Sequence, residues 1–166
     1  MSALLHIGPD STTLDFTNAS AADATTPSVV ARLPLGLTAL QQQMRHAPLP
    51  TAGEVEACIA EVEDILMPRI AAWPRTGLLR THDAEARHLA EAAAAAGHPT
   101  QPLPLPLPLT LSIDAVEEVF NRLADVLGGM PAARLGIPER PEFIAYLIVL
   151  RELMHHAGFV SLRVCA

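Results

Sequence analysis

Phe143-Ile-Ala-Tyr-Leu-Ile-Val-Leu150 carries no charged residue on any side. It sits inside Pro138 to Val164, a stretch that reads as a helix followed by a strand. A helix that is apolar all round must be covered all round. Any fold of this chain therefore has to put that segment near its middle. Pro141 suits the first helical position and Gly158 suits the stop. Toward its end the helix gains Arg151, Glu152, His155 and His156, so it runs from the interior to the surface. Phe159 to Val164 reads as a terminal strand.

The rest of the chain supplies the cover. Residues 3–7 and 12–17 flank Gly8-Pro9-Asp10-Ser11, which predicts a hairpin. Residues 18–28 are small and polar and read as a surface connection. Leu37, Leu40 and Met44 lie at helical spacing over 37–45. Thr51-Ala-Gly-Glu54 is a capping-box pattern. The helix it opens places Val55, Cys58, Ile59, Val62, Ile65 and Leu66 on one stripe, with Glu56, Glu61, Glu63 and Asp64 outside it. Pro68 ends or kinks that helix, and 73–77 is a turn. A further helix begins near His82 or Asp83 and runs through the alanines to Ala96, with Gly97 and Pro99 as its stop. In Pro102 to Leu109 proline and leucine alternate. If extended, its prolines share one edge that lacks N–H donors, so 98–112 is an extended connector or an edge strand. Asp114-Ala-Val-Glu117 is a second capping box, opening a helix to about Leu127. The expectation is a single domain over 1–166, α+β and mainly α. About four to five helices pack around the central C-terminal helix, beside a small antiparallel sheet made by the N-terminal hairpin and the C-terminal strand.

Composition narrows the function. A chain of 166 residues that is 50% hydrophobic and 17% charged suits one domain with a proper core. No apolar run approaches the ~20 residues of a bilayer span, and the N-terminus lacks the basic and apolar regions of an export signal. The expected location is cytoplasmic. The net charge is -7 and all 11 basic residues are arginine, a composition associated with GC-rich bacterial genomes. Such a surface repels phosphate backbones and anionic lipid, which argues against nucleic-acid and membrane partners. Cys58 and Cys165 form neither a disulfide framework nor a zinc knuckle.

Two Glu-x-x-His spacings stand out, Glu85-Ala-Arg-His88 and Glu152-Leu-Met-His155. With the glutamates of the preceding helices, their order resembles the ligand order of ferritin-like di-iron bundles, which implies ligands that all point inward. At about 100° per residue, however, Glu56, Glu61, Glu63 and Asp64 lie off their apolar stripe, as do Glu117 and Glu118 off theirs. A looser metal set is His82, Asp83 and His88, or Glu152 with His155 and His156, offering imidazole and carboxylate ligands. His155 and His156 also suit a helix C-terminus, where they meet its open carbonyls. No motif demands a cofactor, and a divalent metal is the one that these residues admit.

Neither a nucleophile elbow, a P-loop nor a dinucleotide fingerprint is present, so no residue is given a catalytic role. The first expectation is a non-enzymatic interaction module that self-associates or binds a protein partner. One alternative is a small metal-binding protein or enzyme, which needs His82 or His88 to approach His155 or His156. Another is a small-molecule binder with the Leu-Pro strand as a pocket wall.

Overall fold

In a computed structural model of the chain, residues 2–17, 29–97 and 106–166 are described. The turn at Gly8 to Ser11 joins β1 (Ser2–Ile7) to β2 (Thr12–Thr17) as an antiparallel hairpin, with Leu5 opposite Leu14. β3 (Val29–Leu33) pairs with β2. Then come α1 (Leu37–Gln43), α2 (Ala52–Ile70), β4 (Leu78–Thr81) and α3 (Ala84–Gly97). The chain continues with β5 (Leu109–Ser112), α4 (Ile113–Leu127), α5 (Ala132–Leu135), α6 (Pro141–Ala157) and β6 (Ser161–Val164). The 18–28 connection and residues 98–105 of the Pro/Leu stretch lie outside the described residues.

The sheet corrects the expected fold. It has six strands in the order β3-β2-β1-β4-β6-β5 and is mixed, where a small antiparallel sheet was expected. β4 stands between the hairpin and the C-terminal strand, parallel to both β1 and β6. β5 closes the far edge, antiparallel to β6. Parallel neighbours need long crossovers carrying helices, and the helices found between these strands are those crossovers. Period-two burial sets the layers: Ala3, Leu5 and Ile7 of β1, Leu79 of β4, and Leu162 and Val164 of β6 are buried, whereas Leu4, His6 and Arg163 are exposed.

α6 lies centrally among the helices, packed by α1, α2, α3 and α4. Every residue from Phe143 to Leu150 is buried, as the uncharged run requires. The Thr51 capping box forms, its hydroxyl accepting from the Glu54 amide at 3.2 Å and Glu54 accepting from the Thr51 amide at 2.8 Å. Pro68 lies within the last turn of α2 and does not end it. The second box does not form: β5 runs straight into α4, so Ser112 is the cap, accepting from the Ala115 amide at 3.2 Å. Among the described residues, no helix is long and apolar enough to cross a membrane.

Candidate functional site at the carboxyl edge of the sheet

β1 and β4 end side by side, and the chain leaves them in opposite directions. From β1 it turns toward β2; from β4 it enters α3 and goes on to β5 beyond β6. Divergence of this kind opens a crevice outside the carboxyl ends of the strands, where ligands of open α/β sheets bind.

Asp83 is the node of that crevice. Its Oδ2 accepts from the Ile7 backbone amide at 2.9 Å, and its Oδ1 accepts from His6 Nδ1 at 2.6 Å. Its own amide donates to Thr81 Oγ1 at 3.0 Å. The last β1–β4 pair is Leu5 with Thr81, so Asp83 continues the strand junction one step past the ladder. An ionised carboxylate only accepts, which assigns the proton to Nδ1 and leaves the lone pair on Nε2. The His6 side chain is 66% exposed while the Asp83 carboxylate is 10% exposed. A sheltered carboxylate thus orients a largely exposed imidazole, its Nε2 lying beside Gly8, the relation by which an Asp prepares a His to act as base.

Around this pair lies a cavity of about 410 Å³, whose lining includes His6, Ile7, Asp83, Glu85, Glu142 and Tyr146. Tyr146 is 1% exposed, and its hydroxyl lies close to Thr81 and Asp83 without a hydrogen bond of normal geometry to either. Burial, with the Asp83 charge adding to it, pushes this phenol well above its ordinary range. An adjoining cavity of about 280 Å³ is bordered by His82, Arg87, His88 and Cys165. α3 begins at Ala84 on the lining of both cavities, and α6 begins beside the first. Open first-turn amides and the helix dipole favour anions at such ends. The turn after β1 is pressed from behind by Gly36, where a Cβ would stand 2.5 Å from Asp10 Cα and closer still to the Pro9 carbonyl oxygen.

The expected site residues fall into two groups. His82, Asp83 and His88 flank the crevice. His82 Nδ1 is 2.8 Å from the Ala166 carbonyl oxygen, and Glu85 and His88 both meet Arg140 Nη2, at 2.9 and 3.0 Å. Glu152, His155 and His156 lie toward the other end of α6; from Tyr146 to His156 the helix rises roughly 15 Å. The approach of His82 or His88 to His155 or His156 that a metalloenzyme reading required therefore does not occur. Instead, Glu152 and His156 meet Glu63 of α2. His156 Nε2 is 3.0 Å from Glu63 Oε1 and 3.2 Å from Glu152 Oε2, and the three groups are placed to hold a metal ion. Arg151 binds Glu152 Oε1 on one side and Glu117 at 3.1 Å on the other. Burial lowers the Arg151 pKa, but the two carboxylates outweigh it and hold the guanidinium above its ordinary value. His155 stays exposed, 3.6 Å from Glu117.

Sequence reasoning passes over His6 and Glu63. The sign for His6 is a Gly-Pro-Asp-Ser turn directly after a buried strand. For Glu63 no sign exists, because its partner is ninety-three positions away.

No known family profile matches the chain, and no curated protein does. Solved structures do. A crystal structure of the Aquifex aeolicus member of the Ppx/GppA protein family aligns with 99% of this chain at a TM-score of 0.69 and 16% identity. An exopolyphosphatase from Cytophaga hutchinsonii aligns with all of it at 0.69 and 15%, and an exopolyphosphatase-like protein with 99% at 0.68 and 16%. This chain covers 51%, 53% and 55% of those three chains respectively, about half of each. The likeness to enzyme structures overturns the expected non-enzymatic module. The ligand pocket expected along the Leu-Pro strand gives way with it: among the described residues, the hollow beside Leu109 and Leu111 is lined by alanine, proline and leucine, without polar side chains to orient a ligand. At this identity the likeness establishes the fold: the chain is built like about half of a Ppx/GppA phosphatase structure.

Proposed function

We propose that the chain binds a phosphorylated ligand in the crevice between β1 and β4 and hydrolyses it, with His6 as general base. The observation that carries this reading is the His6–Asp83 pair at the carboxyl edge of the parallel strands, in a fold resembling phosphatase structures. Asp83 holds the imidazole so that Nε2 accepts a proton from water. The water oxygen bonds to phosphorus as the bond from phosphorus to the leaving oxygen breaks in line, on the side away from His6, and the proton taken up by His6 then passes to solvent. The first-turn amides of α3 and the Arg87 guanidinium face the ligand's negative charge.

The crevice does not fit a resident metal. Both oxygens of Asp83 are engaged and Glu85 is bound by Arg140, so no step is assigned to a protein-held cation there. A divalent ion, where one takes part, enters with the ligand's own phosphates.

A second reading is binding without turnover, in which a protein partner covers the exposed His6 side of the crevice. Two free thiols, Cys58 and Cys165, suit the reducing cytoplasm as the place of action. Neither nucleic acid nor membrane belongs to the proposal, given a net charge of -7.

Calorimetric titration with inorganic tripolyphosphate and a phosphate-release assay decide between the readings. Wild type is expected to bind and to release phosphate. His6→Gln should keep binding while release falls by ~100-fold or more. Binding without release selects the second reading, and a wild type that neither binds nor releases phosphate ends both.

A further inference from the structure

We infer that Glu63, Glu152 and His156 form a zinc site that ties α2 to α6, separate from the crevice and independent of its chemistry. Glu152 is 0% exposed, and its Oε2 has no hydrogen-bond partner. A buried carboxylate oxygen left unpaired is costly, and its surroundings do not relieve it. The nearest polar atom is His156 Nε2 at 3.2 Å, but that nitrogen carries at most one proton and lies 3.0 Å from Glu63 Oε1 in a hydrogen bond. One imidazole nitrogen therefore faces two carboxylate oxygens and can serve only one of them.

A cation between the three atoms satisfies all of them. A tetrahedral zinc with bonds of about 2.0 Å spaces its ligand atoms roughly 3.3 Å apart. The observed 3.0 and 3.2 Å are near that spacing, and all three ligand atoms lie within 4.8 Å of one another. Imidazole with carboxylates is a zinc-type donor set. Charge points the same way: Glu63, Glu117 and Glu152 face the guanidinium of Arg151 and two imidazoles. Arg151 holds the other oxygen of Glu152, the outer contact that fixes a ligand's orientation. Glu63 and His156 are partly exposed, at 42% and 21%, which leaves an entry path and room for a water as fourth ligand.

The test uses the chelator-treated 166-residue chain titrated with zinc chloride in a calorimeter. Wild type is expected to take up a single equivalent and to melt at a higher temperature with zinc than without. Glu63→Gln and His156→Asn sit on the partly exposed side and should fold normally by far-UV circular dichroism. Each should weaken zinc binding at least ~10-fold and lose the thermal response. Absence of zinc uptake overturns the site. So does uptake that both variants leave unchanged, which would move the metal to other groups such as His82 and Cys165. Neither variant touches the crevice, so phosphate release fails or persists independently of this result.

Discussion

Tyr146 is the single tyrosine of the chain, which makes one buried phenol readable in solution. Its folded pKa lies well above the ordinary value of 10.0 because the charged form would be buried, next to Asp83. A raised folded pKa means that its contribution to stability is complete below pH 10 and is lost as pH climbs from there toward the folded value. Phenolate absorbance should therefore stay absent at pH 10 to 11 in the native protein and rise only with unfolding. Tyr146→Phe should flatten the alkaline side of the stability profile measured by urea titration. A tyrosine that ionises near pH 10 with the fold intact would contradict its burial. Arg122 is shifted for the same kind of reason: burial lowers its pKa, opposed by Glu118, and it is held by the Leu135 and Ala92 carbonyls at 2.9 and 3.0 Å.

Among the elements, α2 has the best-defined start. The Thr51 amide, followed by His46 and the Arg45 amide, holds the Glu54 carboxyl at about 2, against an ordinary 4.5. A lowered folded pKa gives stability that is present above pH 4.5 and lost as pH falls through 2. Glu54→Gln should flatten the acid limb of a denaturation profile over that window, and Thr51→Ala should cost about 1 kcal/mol at neutral pH. An acid limb identical in Glu54→Gln would show that the box contributes nothing.

The strong elements are legible in the sequence because their signals are local. Turn chemistry at Gly8 to Ser11, the Thr51 cap and the apolar run of α6 each act within a few residues. β4 is not legible: Leu78-Leu-Arg-Thr81 is four residues long and gains its identity from two neighbours far away in sequence. β3 follows a polar stretch and is mostly exposed, so it carries little apolar signal. Without β4 the sheet shrinks to a hairpin and one strand, and the parallel carboxyl edge disappears with it. His82, Asp83 and His88 stand out in sequence for their ligand chemistry. Their role beside His6 depends on that hidden edge. The helical wheel assigns Glu63 to solvent, because it records the face of a helix but not what arrives at its flank.

At the scale of the whole molecule, α6 decides whether there is a fold. Leu147 is 0% exposed. Leu147→Asp should abolish the native state, since an unpaired charge there exceeds the ~5–15 kcal/mol that a domain has in hand. The graded variant, Leu147→Ala, should cost roughly 2–5 kcal/mol by urea denaturation. A Leu147→Asp protein with an unchanged melting temperature would remove α6 from the centre.

The same burial has a consequence for distance. A helix gripped on every side along Phe143 to Leu150 has little freedom to slide, turn or bend on its own. Tyr146 near one end and His156 near the other are therefore graduations on a rigid scale, separated by roughly 15 Å of helical rise. Whatever binds at either mark, the interval between them belongs to the native state and persists until that state is lost. The protein thus carries an internal ruler, and its calibration comes from the uncharged octet at its core.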